Sequence, residues 1–357
     1  MSKWFGSTLA VDDLDLAIAK GSFTTLLGPS GCGKTTTLRM LAGFYEPDRG
    51  DIAIAGVRQN HVPPNRRNVS IVFQDYALFP HMTVLQNVSY GLKLRRVDKA
   101  ERERRVARVL EFLGLDALGA RHPHELSGGQ QQRVALGRSI VMEPDVLLMD
   151  EPLSNLDAKL RIRVRAELKE IQRVLGITTV YVTHDQDEAL SLSDRVAVMS
   201  EGRLQQYSDP WTLYQAPVNR FVADFVGYAN VVPGHVERHE DGVALVRLAA
   251  RGAGSLRCLD PAGRAANGSE VRVMLRPEWF TVSGADEPAP TAEGLALEAE
   301  VGASSYLGAF ARVWVDVEGL AEPLVVEVAA THREQLERGT RLHLHLPHDR
   351  AVLVDEG

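Results

Sequence analysis

This sequence lacks any long apolar run. Across its 357 residues no stretch approaches the roughly 20 residues needed to cross a bilayer. Met1–Gly6 carries no apolar core of the kind that opens a signal peptide. If such a chain works at a membrane, a partner is expected to hold it there. Cysteine is nearly missing as well. Cys32 and Cys258 are far apart and in no metal-like spacing, which argues against a disulfide framework and suits a reducing cytoplasm. Positive charge is not in surplus. The net charge of −7 argues against a nucleic-acid partner, which usually meets a basic face. Internal repeats and heptad arrays are absent too.

What is present reads as two halves, with a boundary near Gly227–Val232 and domains expected over 1–228 and 229–357. In the first half, Ser22–Leu27, the run VLLM within Asp145–Met149, and Thr178–Thr183 are short continuous apolar or β-branched runs. Such runs suit strands buried on both faces, as in a parallel sheet. Helical patterns separate them. Lys34–Ala42 is one. Asp98 with Glu101 makes a capping-box start for another, whose apolar face is Val106, Val109, Leu110 and Leu113. Leu160, Val164, Leu168, Ile171 and Leu175 form a third face. Strands alternating with helices imply an α/β sheet with crossover connections. In the second half, Val243–Ala250, Glu270–Leu275, Phe310–Val317, Leu324–Val328 and Arg341–Leu346 read as strands, many of them alternating. Ala285–Ala292 is a loop containing proline and acid. A small barrel is the simplest architecture that removes free sheet edges.

Gly28-Pro29-Ser30-Gly31-Cys32-Gly33-Lys34-Thr35 fits the phosphate-binding pattern G-x-x-x-x-G-K-[ST]. Glycines let backbone N–H groups turn inward around phosphate oxygens, and the helix that follows points its positive end at the anion. Lys34 adds a point charge for the β- and γ-phosphates, and the Thr35 hydroxyl suits Mg²⁺. Thr36 continues the cradle. Cys32 is read as a small filler within the loop, shielded by bound nucleotide. By itself the motif says that a nucleoside triphosphate binds.

Leu126-Ser127-Gly128-Gly129-Gln130, followed by Gln131, Gln132 and Arg133, narrows this. Ser127 is placed to cap a helix whose first N–H groups sit on Gly128 and Gly129, where no side chain blocks an anion. The stretch LSGGQQQR resembles the signature motif of ABC ATPases. The resemblance implies a P-loop NTPase cassette with a helical subdomain (about 76–143), followed by an all-β, OB-like C-terminal domain. It implies ATP and Mg²⁺ as cofactors, and a head-to-tail dimer in which Ser127, Gly128, Gly129 and Gln130 face the γ-phosphate held by the other subunit. It also assigns roles. Asp150 holds Mg²⁺ through water, beside Thr35 and Gln74. Glu151 polarises the attacking water, and His184 contacts the γ-phosphate. Gln74 senses the metal on one side and a transporter helix on the other. Asp157, in Ser154-Asn155-Leu156-Asp157, belongs to the loop that meets the opposite subunit. Phe5 stacks on adenine. Family members usually place about ten residues, forming an edge strand, before that aromatic, so either that strand is missing or the true start lies upstream.

Tyr214–Gly227, Leu275-Arg276-Pro277-Glu278 and Ser305-Tyr306-Leu307-Gly308 resemble the connector and tail of the maltose, polyamine and ferric-iron importer group. The resemblance then implies a peripheral subunit on the cytoplasmic face of the inner membrane. Its partners are a second copy, two integral-membrane permease subunits and, indirectly, a periplasmic or surface solute-binding protein. YALFPHMTV and QQQRVAL favour polyamine or ferric iron as cargo, with sugar and aminoethylphosphonate as alternatives. A soluble ABC ATPase usually has two cassettes or a long coiled-coil insertion, and a P-loop kinase has no use for a signature helix. His343, His345 and His348 lack a cysteine or carboxylate to complete a metal set. Leu94–Arg108 reads as a solvated helical face.

Overall fold

The computed structural model describes residues 1–250, 253–260, 263, 265–284, 294–329, 337–348 and 350–355. The loop expected at 285–292 lies outside them. The chain divides into two units, Met1–Pro210 and Trp211–Gly357.

In the first unit, β1 (Lys3–Phe5) and β2 (Thr8–Val11) form a hairpin. Then come β3 (Phe23–Leu27), α1 (Lys34–Ala42), the short pair β4 (Ala53–Ile54) and β5 (Val57–Arg58), and β6 (Val69–Val72). Three helices follow: α2 (Val84–Leu94), α3 (Lys99–Phe112) and α4 (Gly128–Ile140). The chain returns through β7 (Val146–Asp150), α5 (Ala158–Leu175), β8 (Thr178–Thr183), α6 (Gln186–Leu192), β9 (Arg195–Ser200) and β10 (Arg203–Ser208). Six strands make one sheet in the order β10-β9-β3-β8-β7-β6, parallel except for β10 against β9. The interiors of β3, β7, β8 and β9 are buried on both faces, and β3 is buried at every residue, which is why they read as continuous apolar runs.

The helix expectations hold with two changes. Asp98 caps α3 by accepting from the Ala100 and Glu101 N–H groups, but the Glu101 carboxylate turns to Arg104 and Arg105 and does not close the box. On α5, Val164 and Leu168 are buried, whereas Leu175, at the last position, is exposed. Gln172 takes the inner place there, donating to Gly21 O and Ile177 O.

The division falls at the first residue of α7 (Pro210–Gln215), and the second unit continues through α8 (Arg220–Phe225). It continues with β11 (Asn230–Glu240), β12 (Val243–Leu248), β13 (Ser255–Leu259), β14 (Glu270–Leu275) and β15 (Thr281–Gly284). It ends with β16 (Gly294–Tyr306), β17 (Phe310–Val317), β18 (Leu324–Ala329), β19 (Arg341–Pro347) and β20 (Val352–Val354). A closed barrel, β11-β12-β13-β20-β14, accompanies a five-stranded sheet, β15-β19-β16-β17-β18. The division at Pro210/Trp211 precedes the 228/229 boundary expected from sequence. Arg276 is the reason. Fully buried, it donates to the carbonyls of Tyr214, Ala223 and Tyr228 and lies 4.1 Å from the Tyr214 ring centre, so the two connector helices belong to the β-rich unit.

Candidate functional site

Four neighbouring parallel strands end together. Leu27 of β3 pairs with Thr183 of β8, Val182 of β8 with Asp150 of β7, and Met149 of β7 with Val72 of β6. Just beyond those ends stand Gly28, His184, Glu151 and Gln74. The carboxyl edge of a parallel sheet is where α/β folds place ligands.

The first loop is a cradle. Gly33 has φ 101°, and a Cβ there would sit 2.5 Å from Ala10 O; a Cβ on Gly28 would sit 2.3 Å from Met199 O. Only glycine fits either place. Helix α1 starts at Lys34 with no side-chain cap, which leaves its first N–H groups to an anion. Lys34 is buried, its ammonium donating to Gly28 O at 2.7 Å and Pro29 O at 2.9 Å. Ser30 and Gly31 are exposed at the loop tip, and Thr36 is half-buried. Cys32 is buried, as a filler should be. Burial pushes its thiol up, partly opposed by Lys34, whose Nζ is 3.7 Å from the sulfur.

Thr35 donates its hydroxyl to Asp150 Oδ1 at 3.2 Å. Burial pushes the Asp150 carboxyl up, and the Thr35 hydrogen bond draws it back. A hydroxyl and a carboxylate facing each other at this distance are hard oxygen donors suited to Mg²⁺. Glu151 has φ 45°, a left-handed backbone that a non-glycine residue adopts only when held. Its N–H donates to Val182 O, and its carbonyl accepts from the Ser154 hydroxyl. Its Oε2 lies 3.1 Å from His184 Nδ1. His184 is braced by its neighbours. The buried Glu188 carboxylate accepts from the Tyr181 and Thr183 hydroxyls, and Thr183 Oγ1 accepts from the Asp185 N–H. Arg161 donates to Leu156 O at 3.0 Å and faces Asp185 at 3.5 Å. Gln74 is exposed.

Ser127 caps α4 as expected, accepting from the Gln130 N–H while Gln130 Oε1 accepts from the Ser127 N–H. The glycines have a second reason. A Cβ on Gly128 would lie 3.1 Å from Leu156, and Gly129 is buried against Leu160 and Val164, so the helix tip rests on the start of α5. Asp157 caps that helix by accepting from the Leu160 N–H. Phe5 is 43% exposed, with Tyr45 edge-on at 5.1 Å. His343 and His345 lie on β19, and no cluster of three metal-ligating groups occurs among the described residues.

The ABC transporter family profile matches residues 11–154, and a TOBE domain profile matches residues 273–354. The spermidine/putrescine import ATP-binding protein of Rubrobacter xylanophilus is 52% identical over 82% of this chain and 78% of that protein. The chain belongs to the ABC transporter ATP-binding family. The Fe(3+) ions import ATP-binding protein of Rhizobium etli, another such subunit, is 50% identical over 88% of this chain and 86% of its own length. Among solved structures, an ABC cassette from Clostridium perfringens, described as part of an ABC transporter complex, has a TM-score of 0.55. It is 34% identical over 58% of this chain and 85% of that one. A second cassette, described as dimeric and bound to ADP and phosphate, has a TM-score of 0.51, with 29% identity over 58% of this chain and 95% of its own. As an ABC cassette the chain binds ATP, and none of its helices among the described residues is long and apolar enough to cross a membrane. Sequence reasoning passed over Arg138, Arg161 and Glu188, and it named Asn155 only as part of the Ser154–Asp157 loop. Glu188 follows Asp185-Gln186-Asp187 and Arg161 lies among Lys159, Arg163 and Arg165, so neither stands out in the sequence.

Proposed function

We propose that this chain is the ATP-hydrolysing subunit of an ABC importer, paired with a second copy on the cytoplasmic face of the membrane beneath two separate permease subunits. One observation carries it: the phosphate cradle, Asp150–Glu151, His184 and Gln74 stand at adjacent strand ends, while the Ser127 helix tip is exposed to meet a second copy.

When bound, Mg-ATP supplies the phosphoanhydride bond that water cleaves. The loop N–H groups from Gly28 to Thr36 and the Lys34 ammonium hold the phosphates. Thr35, Asp150 and Gln74 would hold Mg²⁺, which would supply positive charge at the phosphates. Glu151 accepts the proton of the attacking water. His184, with Nδ1 3.1 Å from Glu151 Oε2, stands beside that carboxylate and leaves Nε2 for the γ-phosphate. Ser127, Gly128, Gly129 and Gln130 of the partner close over the same phosphate, and Asp157 lies in the segment that meets the partner. Phe5 stacks on adenine. Two nucleotides therefore join the cassettes, and cleavage loosens them. Such a cycle does work because the closed pair binds ATP better than the open one.

The cargo is a polyamine or ferric iron, delivered by a solute-binding protein this subunit does not touch. The names of the two relatives at 52% and 50% identity support this; sugar and aminoethylphosphonate are the alternatives. The test is uptake of labelled spermidine and of ferric iron in cells with and without the chain, beside co-purification of two multi-span subunits. Unchanged uptake of both, with no membrane partner recovered, overturns the proposal.

A further inference from the structure

The loop after β6 carries Gln74 and then turns through Tyr76 and Ala77, whose φ values are 61° and 45°. Neither residue has the freedom of glycine. A left-handed backbone is unfavourable for such residues and persists only where the surroundings hold it.

The holding groups come from three other segments. From α4, Arg138 donates to Tyr76 O at 2.8 Å and Ala77 O at 2.6 Å, its guanidinium 5.4 Å from the Phe79 ring centre. From the turn between β7 and α5, Asn155 donates to Gln74 O at 2.8 Å. From α2, the buried Asn87 amide donates to Phe79 O, Met82 O and Thr83 O and accepts from the Phe79 N–H. Asn87 fixes the far limb of the loop. Asn155 and Arg138 hold the limb that bears Gln74.

Arg138 sits on the helix that Ser127 caps. At 1.5 Å per residue the two are about 16 Å apart along α4. The intervening residues Val134, Ala135, Leu136 and Gly137 are buried, so the helix is a packed rod with the Ser127 tip at one end and the Gln74 turn at the other. The side-chain type matters. A planar guanidinium presents two parallel N–H groups to adjacent carbonyls, whereas a lysine offers a single point charge on a flexible stem.

We propose that Arg138 is a positioning residue for Gln74. It locks the Tyr76–Ala77 turn to the signature helix, so that the placement of Gln74 follows the position of the Ser127 tip. Arg138 acts through the backbone of the loop and touches no nucleotide. The inference rests on the role assigned to Gln74 above.

The test uses the full chain with Arg138→Ala, Arg138→Lys and Gln74→Ala. Arg138→Ala leaves the KM for ATP unchanged, because the cradle is intact, and lowers kcat by about tenfold to a hundredfold, the scale of a small misplacement of a reacting group. Arg138→Lys falls between it and wild type. Millimolar guanidinium raises kcat in Arg138→Ala and not in wild type. By hydrogen exchange, amides 74–82 lose protection in Arg138→Ala while those of α4 and β7 keep theirs. Wild-type kcat or wild-type exchange of that loop in Arg138→Ala overturns the inference. If Arg138→Ala does not fold, Arg138→Lys carries the decision: full kcat with unchanged exchange overturns it, and a partial loss in both supports it. A slow Gln74→Ala beside a fast Arg138→Ala overturns this inference alone, whereas wild-type turnover in Gln74→Ala overturns the role of Gln74 along with it.

Discussion

His184 Nδ1 lies 3.1 Å from Glu151 Oε2, joining the end of β8 to the end of β7 across two adjacent strands. The carboxylate thus stands at the end of β7 beside the cradle, where the proposed mechanism has it take the proton of the attacking water. Glu151→Gln keeps the shape and removes the base. Hydrolysis is expected to fall by about a hundredfold or more with ATP binding retained, and the chain is expected to accumulate as an ATP-bound dimer. Phosphate release and light scattering measure the two effects. Wild-type turnover in Glu151→Gln removes Glu151 from its role.

Lys34 braces Gly28 O and Pro29 O, and the proposed mechanism gives its ammonium a second task on the phosphates. Lys34→Ala is expected to weaken ATP by about 1.5–3 kcal/mol, the worth of a charged hydrogen bond, or roughly tenfold to a hundredfold in Kd. Titration with a fluorescent ATP analogue reads this, and affinity equal to wild type rules it out.

Gly31 and Gly33 both have positive φ, yet they differ in space. A Cβ on Gly31 meets nothing within 4 Å, whereas one on Gly33 meets Ala10 O at 2.5 Å. Gly31→Ala is expected to cost about 1 kcal/mol of stability, and Gly33→Ala clearly more, since the loop must also move off the β2 backbone. Thermal unfolding without nucleotide ranks the two, and the reverse order contradicts this packing.

The two thiols separate by environment. Burial pushes Cys258 up to about 12, and burial also raises Cys32 against the pull of Lys34. At neutral pH a small alkylating reagent is therefore expected to modify Cys32 first, slowly, and more slowly still under saturating Mg-ATP. Cys258 should react only on unfolding. For stability the sign follows from proton binding. Above the ordinary thiol range near pH 9 the unfolded chain loses a proton that the folded chain keeps, so the contribution of Cys258 is full below that pH and is lost as pH rises toward 12. Early labelling of Cys258 in the native chain, read by peptide mass, contradicts its placement.

Arg276→Ala is expected to unfold the β-rich unit first. It leaves the carbonyls of Tyr214, Ala223 and Tyr228 without their donor, each at about 1–3 kcal/mol when buried. Calorimetry is expected to show an early transition while basal ATP hydrolysis persists; a single unshifted transition removes Arg276 from that role.

Much of this was legible from order along the chain. Glycine spacing before Lys34, the serine-capped turn at Ser127 and the apolar run into Asp150–Glu151 each carry a local physical reason. The Glu101 side chain was not legible, because a helix offers it both the cap and Arg105 one turn on, and the nearer cation prevailed. Nor was the exposure of Leu175, since the apolar period continues past the point where the helix leaves the core. The contacts of Arg138, Asn155 and Glu188 were not legible either, because their partners are backbone carbonyls or residues on other elements.

The sequence alone determined the chemistry: which turns can adopt left-handed glycine geometry, which helix tips are free for an anion, and which strands are apolar enough to be buried on both faces. Only the tertiary structure decided that β3, β8, β7 and β6 lie side by side. In a parallel sheet each strand returns through a helix, so neighbours in space are chosen by packing and hydrogen-bond register and not by succession in the chain. That choice brings Gly28, His184, Glu151 and Gln74 to one edge.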